Sequence, residues 1–191
     1  MRVNLNIPSS KLYRVHIGVE PSDYEFILPK IKDRTIGFIS RECYANGLDI
    51  LVDAFIELRS KAGFEDVKLV ITGGSTGDDS SFKKGLSAKL VKAGLINDVD
   101  FHKDFEGEGR RAFFKKVSVI SVPVRNGEAF GIYLLEAMAS GIPVIQPALG
   151  AFPEIINISG GGIIYEQNTP DKLADALASV LSNPDLLNKL S

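Results

Sequence analysis

Two glutamates with seven residues between them, Glu128 and Glu136, are the side chains of this chain whose types and spacing best suit binding chemistry. Glu128 lies in a glycine-containing stretch at the start of an apolar run with helical spacing, and Glu136 lies inside that run. A helix N-terminus offers unpaired backbone N–H groups and the positive end of the helix dipole to a phosphate. Carboxylates accept hydrogen bonds from hydroxyl groups. The segment therefore predicts a site for a phosphate with polyhydroxyl groups on either side.

The apolar surroundings of Glu136 support this interpretation. Two carboxylates on a surface helix are usually only solvated, so the pair alone proves little. Glu136, however, stands in the apolar run 132–139, where a carboxylate is rarely placed without a partner. Ribose hydroxyls would supply the donors that it needs. Glu128 would then accept from a second ring, leaving the amides of residues 130–132 for a diphosphate between the two rings.

The elements that must position these residues alternate along the chain. Strands are predicted at 35–39, 67–71, 99–101, 117–122, 143–146 and 162–165, helices at 47–62, 81–93, 110–116, 130–139, 170–181 and 183–190, and a turn at 152–156. This alternation predicts an α/β, Rossmann-like three-layer domain over 35–191, with a mostly parallel sheet covered on both faces. Residues 1–34, with a β-like piece at 12–17, are a lead-in.

Four segments fall at predicted strand ends and so point to one crevice: 37–41, 73–74, 102–104 and 123–131. Ligands bind beyond the carboxyl ends of the strands in such sheets. The glycine-rich stretch 73–77 has neither the dinucleotide-binding spacing nor a P-loop, which disfavours a nicotinamide-dependent oxidoreductase. The adjacent Asp78 and Asp79 lack other ligands for a metal and are expected to be solvated.

Composition excludes several classes of protein. The 191 residues are 45% hydrophobic, and 22 basic residues nearly balance 24 acidic ones, so no nucleic-acid footprint is indicated. Cys43 is the only cysteine, which excludes an intrachain disulfide. No apolar stretch reaches the roughly 18–20 residues of a membrane span, and a cytoplasmic protein is expected. The basic face of helix 110–116 suggests ordinary solvated charge, or peripheral contact of a complete enzyme with an anionic membrane.

The run from Pro123 to Ile145, Pro-Val-Arg-Asn-Gly-Glu-Ala-Phe-Gly-Ile-Tyr-Leu-Leu-Glu-Ala-Met-Ala-Ser-Gly-Ile-Pro-Val-Ile, closely resembles the signature of retaining GT-B glycosyltransferases of family 4. Three further segments match in the family's order: the turn Gly-Val-Glu-Pro at 18–21, the strand and helix start at 37–55, and Gly-Ala-Phe-Pro-Glu at 150–154. The resemblance implies the C-terminal half of a two-domain enzyme. It spans about residues 15–190.

By this resemblance, the chain binds a nucleotide-diphosphate sugar without cofactor or metal. The complete enzyme would transfer the sugar, with retention, to a sugar, lipid or polysaccharide acceptor held by an N-terminal domain absent here, and the fragment alone would scarcely turn over. The expected catalytic residues are Arg41 and Glu128. Arg41 would neutralise the leaving diphosphate, and Glu128 would bind the donor sugar. Glu136 would bind the ribose. The expected donor site comprises Gly37, Arg41, Asn46, Gly73, Glu128, Phe130, Gly131, Ile132 and Glu136.

Asn46 departs from the family pattern, in which a lysine usually precedes the glycine that opens the first helix. Asparagine donates a hydrogen bond but does not offset charge. Turnover would be slower, or another cation such as Lys103 would substitute, or the chain is a catalytically degenerate nucleotide-sugar-binding or scaffold domain. Backbone groups of residues 102–104 are expected to read the base. The base, the sugar, the acceptor and the oligomeric state are not encoded in recognisable motifs.

Overall fold

The computed structural model describes residues 8–13, 15–27, 34–103 and 105–191. Within them, one sheet is built from β1 Thr35–Ile39, β2 Lys68–Thr72, β3 Val99–Phe101, β4 Val119–Ile120, β5 Val144–Pro147 and β6 Gly162–Tyr165. Its spatial order is β3-β2-β1-β4-β5-β6, and all neighbouring strands are parallel. The predicted α/β Rossmann-like fold is confirmed, because parallel neighbours require the helical crossovers that the sequence pattern indicates.

The helices of these described residues are α1 Leu48–Arg59, α2 Ser80–Lys92, α3 Gly107–Lys116, α4 Ile132–Ala139, α5 Phe152–Ser159, α6 Pro170–Leu181 and α7 Pro184–Leu190. On one face of the sheet, α1 packs against α6. All five residues of β1 are buried, as the apolar composition of a centrally placed parallel strand requires. The core centres on fully buried aromatic rings, among them Phe38, Phe55 and Phe113. Burying each such side chain contributes about 1.5–3 kcal/mol.

Two predicted elements are wrong. The predicted turn at 152–156 is the helix α5, which has a proline in its first turn and Gly160 directly after its end. Proline is compatible with the first turn of a helix because its missing N–H has no partner there in any case. The β-like piece at 12–17 is not a strand in its described residues, and Arg14 lies outside them.

Part of the lead-in is docked on the domain. The amide of Ile27 donates to the carbonyl of Ser140 at 2.9 Å, directly after α4. Glu25 forms an ion pair with Lys115 of α3 at 2.6 Å. The segment 24–27 therefore lies across the ends of α3 and α4, next to the helix that carries Glu136.

Candidate functional site

Arg41 follows β1, and its guanidinium is held by the segment that follows β2. Arg41 Nε and Nη2 lie 3.0 and 3.1 Å from the two carboxylate oxygens of Asp79, and Nη2 also donates to Thr76 Oγ1 at 2.8 Å. The Thr76 amide and hydroxyl donate to Asp79 Oδ2 at 2.8 and 2.9 Å, which completes a capping box. The expectation of a solvated Asp79 is wrong, because the residue is buried in this network.

The network keeps both groups charged. Hydrogen bonding from Arg41 is the main reason that the pKa of Asp79 is lowered to about 2, and the Thr76 amide adds to it. The same contact raises the pKa of the Arg41 guanidinium. The Arg41 side chain is still 51% exposed, and Nη1 donates to no acceptor in the described part of the chain. Arg41 can therefore offer Nη1 to an incoming anion while Asp79 holds its other edge.

Asn46 stabilises the loop that carries Arg41. Its amide nitrogen donates to Ser40 Oγ at 2.8 Å and to the Arg41 carbonyl at 3.0 Å. Both bonds lie within the loop itself, between β1 and α1. The neutral side chain at this position thus fixes the backbone of Arg41 and adds no charge to the site.

Arg125 joins this loop to the segment that leads to Glu128. Its guanidinium makes a bidentate ion pair with Asp49 at 2.8 and 2.6 Å, and it stacks on Tyr44 with 3.6 Å to the ring centroid. Arg125 is not among the residues of the predicted site. The contact fixes the relative position of the loops after β1 and β4, since both partners of Arg125 precede or open α1.

Two glycines of the expected site have different roles. Gly73 has a φ of 126°, and a Cβ there would lie 2.2 Å from the Ser40 carbonyl oxygen, so glycine lets the loops after β1 and β2 touch. Gly37 is buried inside β1, where a Cβ would lie 2.8 Å from Phe113 Cζ and 2.9 Å from Val117 Cγ1. Core packing alone accounts for this glycine, and its place in the donor site stays a prediction.

Glu128 folds back on the backbone that follows it. Its Oε1 accepts from the amides of Ala129 at 3.0 Å and Phe130 at 3.4 Å. Gly131 is the N-cap of α4. The amides of Gly131 and Ile132 have no acceptor in the described residues, as is usual at a helix start. Two of the three predicted phosphate donors, the amides of Gly131 and Ile132, thus have no acceptor in the described residues. The third, the Phe130 amide, already donates to Glu128 at the long distance of 3.4 Å.

Glu136 has partners inside the protein. Its Oε1 accepts from Tyr24 Oη at 3.2 Å and from Arg110 Nε at 3.1 Å, and its Oε2 accepts from Arg110 Nη2. The carboxylate is only 11% exposed. Burial, together with the neighbouring Glu136 charge, raises the pKa of Tyr24. The buried carboxylate has hydrogen-bond donors, as the sequence predicts. In the structure these donors are Arg110 and Tyr24, whereas ribose hydroxyls are expected from the sequence.

Other expected contributors are engaged or lie apart. The His102 amide donates to Ile71 at 2.8 Å, and its carbonyl accepts from Thr72 Oγ1 at 2.9 Å, so its backbone is largely committed to β2. Asp104 lies outside the described residues. Lys83 approaches the loop after β1 through an ion pair with Glu42 at 2.5 Å. Lys83 is thus a further candidate for the cation that Asn46 lacks, besides the exposed Lys103.

Each cation on the basic face of α3 has an acidic partner: Arg110 with Glu136, Arg111 with Glu108, Lys115 with Glu25 and Lys116 with Asp100. Surface ion pairs of this kind add little stability, but they reduce the free positive charge of the face. None of the described helices has the length and apolar character needed to cross a bilayer. Peripheral membrane contact stays a prediction.

The fold defines the class of protein: a doubly wound, Rossmann-like α/β domain, in which the loops that carry Arg41 and Arg125 follow β1 and β4 at the carboxyl edge of the sheet. The sequence profile described as "Glycosyl transferases group 1" matches residues 22–191. The chain belongs to the group 1 glycosyl transferase family. Its fold is that of the C-terminal domain of GT-B glycosyltransferases.

Individual proteins agree with this assignment. The C-terminal domain of a group 1 family glycosyl transferase from Francisella tularensis superposes with a TM-score of 0.78 at 26% identity, covering 91% of this chain and 92% of that domain. An uncharacterized glycosyltransferase of Methanocaldococcus jannaschii is 30% identical over 93% of this chain and 47% of its own length. A D-inositol 3-phosphate glycosyltransferase of Corynebacterium jeikeium is 28% identical over 88% and 40%. The chain spans less than half the length of these curated relatives.

One solved structure shares the fold and was determined with ligands. HepE of Anabaena, in complex with UDP and glucose, superposes with a TM-score of 0.77 at 18% identity, covering 91% of this chain and 48% of that protein. At this identity the similarity concerns the fold alone.

Proposed function

We propose that this chain binds a nucleotide-diphosphate sugar, and that the complete enzyme transfers the sugar to an acceptor held by an N-terminal domain. The observation that carries the proposal is the start of α4, where the unpaired amides of Gly131 and Ile132 lie between two glutamates in the chain. Such amides favour a phosphate, and carboxylates favour hydroxyl-bearing rings. The complex of Anabaena HepE with UDP and glucose supports this choice of ligand by analogy of fold.

In this proposal the residues act by position and charge. Glu128 exchanges its contacts to the amides of Ala129 and Phe130 for hydroxyls of the donor sugar. The α4 amides and Arg41 Nη1 stabilise the diphosphate as it leaves, where negative charge develops. Glu136 binds the ribose. The sugar is transferred with retention, and no metal takes part. The chain spans less than half the length of its curated relatives, and we expect it on its own to bind the donor but scarcely to transfer the sugar.

Calorimetric titration tests the proposal. UDP, GDP, ADP and their common sugar conjugates are titrated into the chain and into Glu128→Gln. We expect one nucleotide family to bind saturably, and Glu128→Gln to weaken the sugar conjugate about tenfold while the bare diphosphate binds as before, because only the sugar contacts that carboxylate. Glu65→Gln, in the exposed loop before β2, is the matched control. Failure of every nucleotide to bind the folded chain would contradict the proposal.

A second candidate is a catalytically degenerate nucleotide-sugar-binding or scaffold domain. Asn46 favours it, because the side chain is neutral and its amide nitrogen donates both of its hydrogen bonds within the loop. The charge of Asp79 also favours a degenerate domain, because this carboxylate already offsets the charge of Arg41. Both candidates predict donor binding, so sugar transfer by the complete protein distinguishes them.

We place the complete protein in the cytoplasm, where nucleotide sugars would reach the proposed donor site.

A further inference from the structure

The carboxylate of Glu136 already uses most of its hydrogen-bonding capacity inside the protein. A carboxylate has roughly four lone-pair positions, two on each oxygen. Tyr24 Oη and Arg110 Nε occupy Oε1, and Arg110 Nη2 occupies one position on Oε2. One position on Oε2 is left. A ribose offers two neighbouring hydroxyls, so the carboxylate cannot accept from both while these contacts last.

Both partners of Glu136 are themselves fixed. The Arg110 guanidinium lies 5.9 Å from the centroid of the Phe114 ring, which belongs to the next turn of α3. Tyr24 belongs to the docked segment 24–27, held by the ion pair of Glu25 and the backbone bond of Ile27. Neither donor is a loose surface side chain that a ligand would displace at little cost.

Gly141 provides independent evidence that the docked segment 24–27 is fitted to α4. A Cβ at Gly141 would lie 2.7 Å from the Ile27 carbonyl oxygen and 2.8 Å from Phe26 Cε2. Only a residue without a Cβ allows the segment to approach this closely. The position of the Tyr24 hydroxyl thus follows from backbone packing as well as from its own hydrogen bond.

We propose that Arg110 and Tyr24 are positioning residues that restrict Glu136 to one ribose hydroxyl. The inference rests on the proposed function, since it assumes that a nucleotide places its ribose at Glu136. Arg110 orients the plane of the carboxylate by binding both oxygens, and Tyr24 closes the second position on Oε1. The chain therefore distinguishes the 2′-hydroxyl from the 3′-hydroxyl: it requires one and tolerates loss of the other.

Deoxynucleotides test this selectivity. For whichever of UDP, GDP and ADP binds, the 2′-deoxy and 3′-deoxy forms are titrated into the unaltered chain. We expect one deoxy form to bind about tenfold or more weakly, because a hydrogen bond to a charged group is lost, and the other to stay within about twofold of the parent. Equal weakening of both forms would overturn the inference and leave the proposed function intact. No weakening of either form would also overturn it.

Variants assign the effect to its causes. Tyr24→Phe removes one hydroxyl and opens a position on Oε1, so the deoxy form that was tolerated should now bind several-fold more weakly than the parent. Arg110→Met should reduce discrimination against the deoxy form that binds weakly, because the carboxylate loses its fixed plane. Arg111→Met, the adjacent arginine, whose partner is Glu108, is the control. An unchanged deoxy pattern in Tyr24→Phe would overturn the role of Tyr24 even if Arg110→Met fails to fold.

If no nucleotide binds the folded chain, the proposed function fails and the inference fails with it. If a nucleotide binds and Glu128→Gln weakens its sugar conjugate, the proposed function stands, and the deoxy pattern alone decides the inference. The two failures are thus distinguishable within one set of titrations.

Discussion

Asp79 is a carboxylate whose contribution to stability depends on pH. Its pKa is about 2 in the folded chain and 3.8 as the ordinary value, chiefly because Arg41 hydrogen-bonds the ionised form. The unfolded chain therefore binds more protons than the folded chain between these values, and stability rises with pH there. We expect the stability lost in Asp79→Asn to be constant above about pH 5 and to shrink as the pH falls from about 4 to about 2. Urea unfolding at a series of pH values measures it.

The control for this prediction is the adjacent, exposed Asp78. Asp78→Asn preserves the Arg41–Asp79 pair and the capping box, so its pH profile should follow that of the unaltered chain. A constant difference between Asp79→Asn and the unaltered chain down to pH about 2 would contradict the assigned cause, because it would mean that the pKa of Asp79 is the same in the folded and the unfolded chain.

At the residue scale, the sequence located the glutamates and Arg41 but not their partners. Glu136 is separated by 26 residues from Arg110 and by 112 from Tyr24, and no local pattern relates residues so far apart. For the pair of Arg41 and Asp79, the sequence contains one local indication: Thr76 and Asp79 have capping-box spacing, which predicts that Asp79 folds back on the backbone of Thr76. The close packing around Gly37 was not predictable, since a glycine needed for core packing and one needed at a ligand look alike in sequence.

At the element scale, β1 depends on the absence of a side chain at Gly37. A Cβ would lie 2.8 Å from Phe113 Cζ, 2.9 Å from Val117 Cγ1 and 3.1 Å from Ile120 Cγ1, distances that force neighbouring core groups to move. We expect Gly37→Ala to lower the free energy of unfolding by about 1–3 kcal/mol through overpacking. Nucleotide affinity should be unchanged in the folded variant, since Gly37 lies in the core. Chemical denaturation and calorimetry measure the two quantities.

Gly85 provides the matched substitution. It lies in α2, and a Cβ there would meet nothing within 4 Å. Gly85→Ala should therefore raise the free energy of unfolding by about 0.5–1 kcal/mol through helix propensity. A Gly37→Ala variant that is as stable as the unaltered chain would show that the core yields around β1, which would contradict the packing argument.

The elements were predictable to the extent that their patterns are local. The strands β3 and β6 and the helix α6 have the predicted bounds, because α6 begins with a proline and has a regular apolar face. The sequence predicts a turn where α5 lies, and the proline in the first turn of this helix is a residue that also suits turns. The β-like pattern in the lead-in did not produce a strand in the described residues, since alternation alone supplies no pairing partner.

At the scale of the whole molecule, basic and acidic groups are interspersed. The formal net charge is −2, from 22 basic and 24 acidic residues. On α3, whose exposed face is basic in sequence, every cation has a carboxylate beside it. Electrostatic attraction to a membrane falls off within a Debye length, about 8 Å at physiological ionic strength. Paired charges of opposite sign largely cancel over such a distance.

We therefore expect no measurable binding of this chain to vesicles of phosphatidylcholine with phosphatidylglycerol at physiological ionic strength. The variant Glu25→Gln, Glu108→Gln and Asp100→Asn removes three negative charges, so the net charge changes from −2 to +1, and it unpairs Arg111, Lys115 and Lys116. Each freed cation near an anionic surface contributes about 1 kcal/mol, and the three together about 3 kcal/mol, so the variant should bind these vesicles on the order of a hundredfold more strongly than the unaltered chain. Pure phosphatidylcholine vesicles are the control. Strong binding of the unaltered chain to the anionic vesicles would show that neutralisation on α3 is incomplete, and would favour peripheral membrane contact through this face.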